Sequence, residues 1–201
     1  MSRKNLAAKL APSAARAIVL ALTCTGLAWA DLPDPTCVSV VPADALNGLV
    51  VGPNQPAPLA ASRLFIEIKN NLCEAIADAQ VSVQLTSANP LCPSGVLSGV
   101  TDSQGKLELD VAAGGCAHLT PQVGVIKANG VTIRSYVNVK SPDWDGATSD
   151  GLVNLADLLA FARQFNGQEA AECHDYTNDG VCDLSDLTIF GGAFSSALHC
   201  Q

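Results

Sequence analysis

The stretch DYTNDGVCDLSD, residues 175–186, carries side-chain oxygens at residues 175, 177 and 179, a glycine at 180 and a further carboxylate at 186. In a coiled loop alternate side chains point to one centre. Asp175, Thr177 and Asp179 therefore suit positions 1, 3 and 5 of a cation-binding loop, with Asp186 at position 12. Val181 offers its backbone carbonyl at position 7, and Asp183 at position 9 acts through a water. Gly180 stands at position 6, where the chain must turn sharply and a residue without Cβ does so at least cost. Calcium takes six to eight hard oxygens at roughly 2.3–2.6 Å, and this loop supplies such donors at suitable spacing.

The loop belongs to a repeat. Residues 154–165, NLADLLAFARQF, align with residues 183–194, DLSDLTIFGGAF, at an offset of 29, matching Asp157 to Asp186, Phe161 to Phe190 and Phe165 to Phe194. Each copy reads as a short amphipathic helix behind an Asp-rich loop. In the first copy, SPDWDGATSDGLVNLAD (141–157), Asp157, Asn154, Gly151 and Asp150 take positions 12, 9, 6 and 5. Strict register then puts Gly146 at position 1 and Thr148 at position 3, and Gly146 has no side chain to ligate with. Reading Ala147, Thr148 and Ser149 as an insertion restores Asp143 and Asp145 to positions 1 and 3, with Leu152 giving the position 7 carbonyl; this register is preferred. Two calcium sites are expected. One comprises Asp143, Asp145, Asp150, Leu152 and Asp157; the other comprises Asp175, Thr177, Asp179, Val181 and Asp186, fits the pattern more closely and is expected to bind more tightly.

Paired calcium loops, each followed by one helix, over some 55 residues, resemble the type I dockerin family. The resemblance implies a calcium-folded module that plugs an exported protein into a cohesin-like partner. In that family, residues at positions 10 and 11 help choose the partner. Here they are Leu155 and Ala156, and Leu184 and Ser185, more apolar than the Ser-Thr pairs of the best-known members.

Upstream, from Cys37 to Lys140, the hydrophobic period is two. Leu64, Ile66 and Ile68, then Val81, Val83 and Leu85, then Leu107, Leu109 and Val111, then Val131, Ile133, Ser135, Val137 and Val139 each mark one face of a strand. Turn residues separate them, among them Asp102-Ser103-Gln104-Gly105 and Asn129-Gly130, the latter suited to a two-residue hairpin. The pattern predicts a mainly β sandwich of about seven strands. GVTDSQGKLELDV, residues 99–111, resembles the strand-turn-strand of immunoglobulin-like (Ig-like) and prealbumin-like sandwiches. At Ser141-Pro142 the alternation stops and Asp becomes frequent, which places a sandwich domain at 31–140 and a small α-helical calcium module at 141–201.

Residues 1–30 read as a secretory signal peptide: Arg3, Lys4, Lys9 and Arg16, an apolar run from Ala17 to Trp29, and the small-x-small pattern Ala28-Trp29-Ala30. The run is well short of the ~20 residues that span a bilayer, so no membrane insertion is expected. Thr23 before Cys24 argues against lipidation. Removing the four leader bases leaves seven Lys and Arg against nineteen acids, a net charge of −12. Such a surface disfavours nucleic acid and anionic lipid and suits a cation. Trp144, Tyr136 and Tyr176 are too few for a stacked carbohydrate-binding face.

Seven cysteines remain, and export makes disulfides the default. Cys37, Cys73, Cys92 and Cys116 allow two bridges in any of three pairings. Cys173 and Cys200 flank the second repeat and are expected to clip it. Cys182 matches Val153 at loop position 8 and reads as a buried free thiol in a strand pair between the loops. A rival reading groups Cys173, His174, Cys182, His199 and Cys200 around zinc, against the oxidising context. Neither a Gly-x-Ser-x-Gly elbow nor a His-Glu-x-x-His helix occurs, and His118 reads as a solvated loop residue, so no enzyme activity is expected. The whole reads as a secreted calcium-binding protein of the extracellular space or cell surface. Its tail docks a protein partner, cohesin-like or through self-association, and its sandwich is a spacer or adhesion domain. The alternative is a structural subunit of an extracellular assembly in which calcium is architectural.

Overall fold

A computed structural model describes residues 32–42, 48–118 and 120–201; the signal peptide expected over residues 1–30 lies outside the described residues. In chain order the strands are β1 (Ser39–Val41), β2 (Gly48–Val50), β3 (Arg63–Glu67), β4 (Gln80–Leu85), β5 (Ser98–Val100), β6 (Lys106–Asp110), β7 (Cys116–Ala117), β8 (Gly124–Ala128), β9 (Val131–Tyr136) and β10 (Asn138–Lys140). Helices α1 (Leu155–Phe165) and α2 (Leu184–Ser195) follow, so the described chain is mainly β. Ten strands are present among the described residues rather than about seven. Five of them span only two or three residues, too short to display a period of two.

The strands form three sheets, ordered β1-β3-β6, β2-β10-β7 and β5-β4-β8-β9. Leu64 and Ile66 of β3 and Leu109 of β6 share one core with Val81 and Val83 of β4 and Ile126 and Ala128 of β8. Burying each such aliphatic side chain stabilises the fold by about 1.5–3 kcal/mol. Asn129 and Gly130 join β8 to β9, both at positive φ (46° and 81°), as a two-residue hairpin requires. The apolar run from Val131 to Val139 is two strands, not one. Tyr136 is buried between Ile133 and Val139 with the opposite parity, and the break at Val137 lets the chain leave β8 and enter the second sheet between β2 and β7.

Residues Asp31–Gln201 form one compact unit. A second core holds Val153, Phe161, Tyr176, Cys182, Phe190, Ala193 and Leu198 together with Leu59 from upstream, and Val50 and Ala61 pack against it. The aromatic rings Phe165, Phe161, Phe190 and Phe194 stack in a row, with centroids 5.8, 4.9 and 5.9 Å apart; the inner pair lies in this core and the outer pair is exposed. The Phe pairs aligned by the repeat thus meet at Phe161 and Phe190 and join the two helices.

The bridges are Cys37–Cys73, Cys92–Cys200 and Cys116–Cys173. The expected Cys173–Cys200 clip is therefore corrected: each of these cysteines is bonded to the β region. The reason is the path of the chain end. His199 pairs with Gln55 and with Leu152, and Gln201 accepts hydrogen bonds from Ser94, which brings Cys200 beside Cys92. The same path alters the strand pair expected between the loops: Val153 N–H donates to Leu198 O (2.8 Å), so the first loop is zipped to the terminus. The zinc grouping is likewise overturned, because Cys173 and Cys200 belong to separate disulfides. Cys182 is a free, buried thiol that burial pushes up to about 12, out of the reactive range.

Candidate metal centre

Both Asp-rich loops follow one hydrogen-bond plan. In the second, Asp175 Oδ1 accepts from Asp179 N–H (3.2 Å) and Oδ2 from Gly180 N–H (3.0 Å). In the first, Asp143 Oδ1 accepts from Asp150 N–H (3.1 Å) and Oδ2 from Gly151 N–H (3.1 Å). Asp150 and Asp179 then accept from Leu152 and Val181 N–H, both at 2.9 Å. At the far end Asp157 and Asp186 accept from the N–H groups of Asn154 (2.8 Å) and Asp183 (2.9 Å), completing capping boxes that start α1 and α2. Gly151 and Gly180 take φ of 83° and 88°, the left-handed turn demanded at position 6. Asp143 thus occupies in the first loop the place that Asp175 holds in the second, with Ala147, Thr148 and Ser149 looped out between.

The structure brings Asp143, Asp150 and Asp157 together. Asp143 and Asp157 are buried, and burial, with neighbouring carboxylates adding, raises both; Asp157 reaches about 6 through burial and the Asp143 and Asp150 charges. In the second loop Asp186 is buried and raised by burial, with Asp175 adding, and its Oδ1 accepts from Thr177 N–H (2.9 Å). Among the described residues Asp143, Asp150, Asp157, Asp179 and Asp186 have no Lys or Arg within ion-pair distance. Arg163, beside Gly146, pairs with Glu169 instead. Buried carboxylates clustered without a counter-charge are costly, and a hard divalent cation is the group whose binding offsets that cost. Asp145 stands apart: its Oδ1 accepts from Ala147 and Thr148 N–H (2.8 and 2.6 Å), which closes its own turn and lowers its pKa.

Three residues that hold the loops were not visible as such in the sequence. A Cβ on Gly114 would lie 2.0 Å from Ser149 Oγ and 2.3 Å from Asp143 Oδ2; one on Gly48 would lie 2.0 Å from Asn178 Nδ2. Each loop therefore rests on a bare stretch of β-region backbone. Lys140, at the end of β10, is the third: its Nζ lies 3.6 Å from Asp175 Oδ2 and donates to the Asp175 carbonyl. Gly114-Gly115 is a turn-forming pair and Lys140 ends the alternating region, but no periodicity links either to a loop tens of residues away.

Two histidines lie near the second loop, each beside a polar partner. His174 is wholly buried, its Nδ1 lies 2.9 Å from the Tyr176 hydroxyl, and burial pushes it down to about 4, so it is neutral. His118 is half-buried rather than solvated, with Nε2 3.5 Å from Glu172 Oε2. Its ring sits within 4.8 Å of the Cys116 and Cys173 sulfurs, which as a disulfide are not metal ligands. Comparison of the chain with protein-family models, curated proteins and solved structures gave no match.

The raised carboxylates set a pH dependence. Because Asp157 moves from 3.8 up to about 6 in the folded chain, its contribution to the stability of the metal-free protein is present below pH 4 and lost as pH rises through 6. His174, lowered from 6.5 to about 4, contributes oppositely, losing stability as pH falls through that window, but does so with or without metal. A divalent cation would bind the ionised carboxylates only, so any calcium affinity at the first loop is expected to fall about tenfold from pH 7 to pH 5. Calorimetric titrations at the two pH values check this; equal affinities would show that Asp157 is not a ligand.

Proposed function

We propose that this is an exported, non-catalytic calcium-binding protein whose C-terminal loops each hold one calcium ion. The observation that carries the reading is the recurrence of one hydrogen-bond plan in two loops that each gather buried carboxylates, Asp143 and Asp157 in the first and Asp175 and Asp186 in the second, of which only Asp175 has a cation, Lys140, within ion-pair distance. The ligands would be Asp143, Asp145, Asp150, Asp157 and the Leu152 carbonyl in the first loop, with Asp145 released from its turn. In the second they would be Asp175, Thr177, Asp179, Asp186 and the Val181 carbonyl. Three disulfides fit an oxidising, extracellular setting, and no helix among the described residues is long and apolar enough to cross a membrane.

The dockerin-like tail acts by docking a protein partner, while the Ig-like sandwich is the spacer or adhesion domain. Supporting this, Leu152 and Leu155 in the first repeat and Val181 and Leu184 in the second are exposed apolar side chains at corresponding places, and Leu159 and Leu187 are exposed on the helices that follow. A second reading, calcium as pure architecture in an extracellular assembly, is favoured by the two disulfides that staple the tail to the β region.

One experiment separates them. The immobilised disulfide-bonded chain is expected to capture a distinct exported protein only with calcium, and Leu155→Asp with Leu184→Asp is expected to cut capture at least about tenfold. Light scattering on the free chain supplies the other arm. Calcium-dependent self-association with no heterologous capture would favour the architectural reading, and capture indifferent to calcium and to both substitutions would remove docking through this tail.

A further inference from the structure

Resting on the calcium reading above, we propose that Lys140 is a built-in counter-cation for the second loop, which makes the first loop the tighter calcium site and reverses the order that the loop patterns suggest. The two loops differ at one oxygen of the position 1 carboxylate. Asp143 Oδ2 receives, besides Gly151 N–H, the neutral hydroxyl of Ser149 at 2.6 Å. Asp175 Oδ2 receives, besides Gly180 N–H, the approach of the Lys140 ammonium at 3.6 Å, with both side chains only 5 % exposed. Lys140 also donates to the Asp175 carbonyl, so the ammonium is anchored at the loop from the end of β10.

Charge follows from these contacts. The first loop offers four carboxylates, Asp143, Asp145, Asp150 and Asp157, a formal charge of −4. The second offers Asp175, Asp179 and Asp186 with neutral Thr177, which is −3; counting Asp183 through its water makes −4, and Lys140 brings this back to −3. An ammonium one carboxylate away from a divalent ion repels it, and inside a protein surface that repulsion costs about ten- to a hundredfold in affinity. Holding one short carboxylate in place returns only roughly threefold. Repulsion therefore outweighs pre-organisation. The second loop is a lysine-tethered element seated on β10 without metal, loading only at higher calcium than the first.

The test is calorimetric titration with calcium chloride of the full disulfide-bonded chain and single-site variants. Asp186→Asn isolates the first loop and Asp157→Asn the second; the first is expected to bind at least about tenfold more tightly. Lys140→Met in the Asp157→Asn background is expected to tighten the remaining site about tenfold, and in the Asp186→Asn background to change nothing. Equal affinities or the reverse order overturn the proposal, whether or not the lysine variant folds. An unchanged or weakened second site in a folded Lys140→Met chain, meaning a merely structural lysine, also overturns it. If the unsubstituted chain takes up no calcium, the calcium reading itself fails and this proposal with it.

Discussion

Replacing Gly114 with alanine is expected to abolish calcium uptake by the first loop while leaving the second intact. The added methyl would sit 2.0 Å from Ser149 Oγ and 2.3 Å from Asp143 Oδ2, well inside contact distance. Neither neighbour yields cheaply. Ser149 and Asp143 are bonded to each other at 2.6 Å, Asp143 is fully buried, and its carbonyl accepts from Gly115 N–H at 3.0 Å. On the other side the backbone is held, because Cys116 follows directly in β7 and is tied to Cys173. Relief requires lifting the loop off the β region, at a cost of about 2–4 kcal/mol. Titration is expected to show one site where the parent shows two. Trp144, flanked by Asp143 and Asp145 and the only tryptophan after residue 30, supplies a second readout: its emission is expected to lose its calcium response. Two intact sites in this variant would mean that the loop does not depend on its seat.

Removing calcium from the parent protein is the other large effect. Each site at a free calcium concentration of about a hundred times its dissociation constant stabilises the folded state by ~2.7 kcal/mol, so two sites supply about 5 kcal/mol. For a chain of this size each kcal/mol moves the transition by roughly 2–4 °C, which predicts a drop of about 10–20 °C on chelation. The loss is not expected to free the tail. Cys92–Cys200 and Cys116–Cys173 hold it, and Leu59 remains in its core. Chain separations of 108 and 57 residues across these bridges restrict the unfolded chain by an amount worth about 4 kcal/mol each in the chain-entropy account. Differential scanning with and without chelator, alongside near-ultraviolet circular dichroism of the Trp144 region, checks this. Superimposable scans would show that the folded loops take up no metal.

Much of the candidate site is local chemistry and could be read directly. The order Asp175, Thr177, Asp179, Gly180, Asp186 is a spacing, and spacing along twelve residues survives without knowledge of the rest of the molecule. The helices behind the loops are equally local, since Asn154 with Asp157 and Asp183 with Asp186 cap them and the matched Phe161 and Phe190 mark their buried faces. The longer strands follow for the same reason: β3 and β4 alternate buried and open residues over five and six positions. Where the signal is shorter than its own period, as in β7, or where a bulky ring changes parity, as at Tyr136, the pattern misleads.

The sequence alone determined the mainly β region, the helix-bearing repeat and the acidic loops, because each is written in residues close together along the chain. Tertiary structure alone decided what those loops rest on. Disulfide partners join residues 36 positions apart or more, the seating of Asp143 on Gly114 joins residues 29 apart and the meeting of Lys140 with Asp175 residues 35 apart, and only the folded path brings them together. A periodic pattern carries no information across such separations; burial and charge act through space.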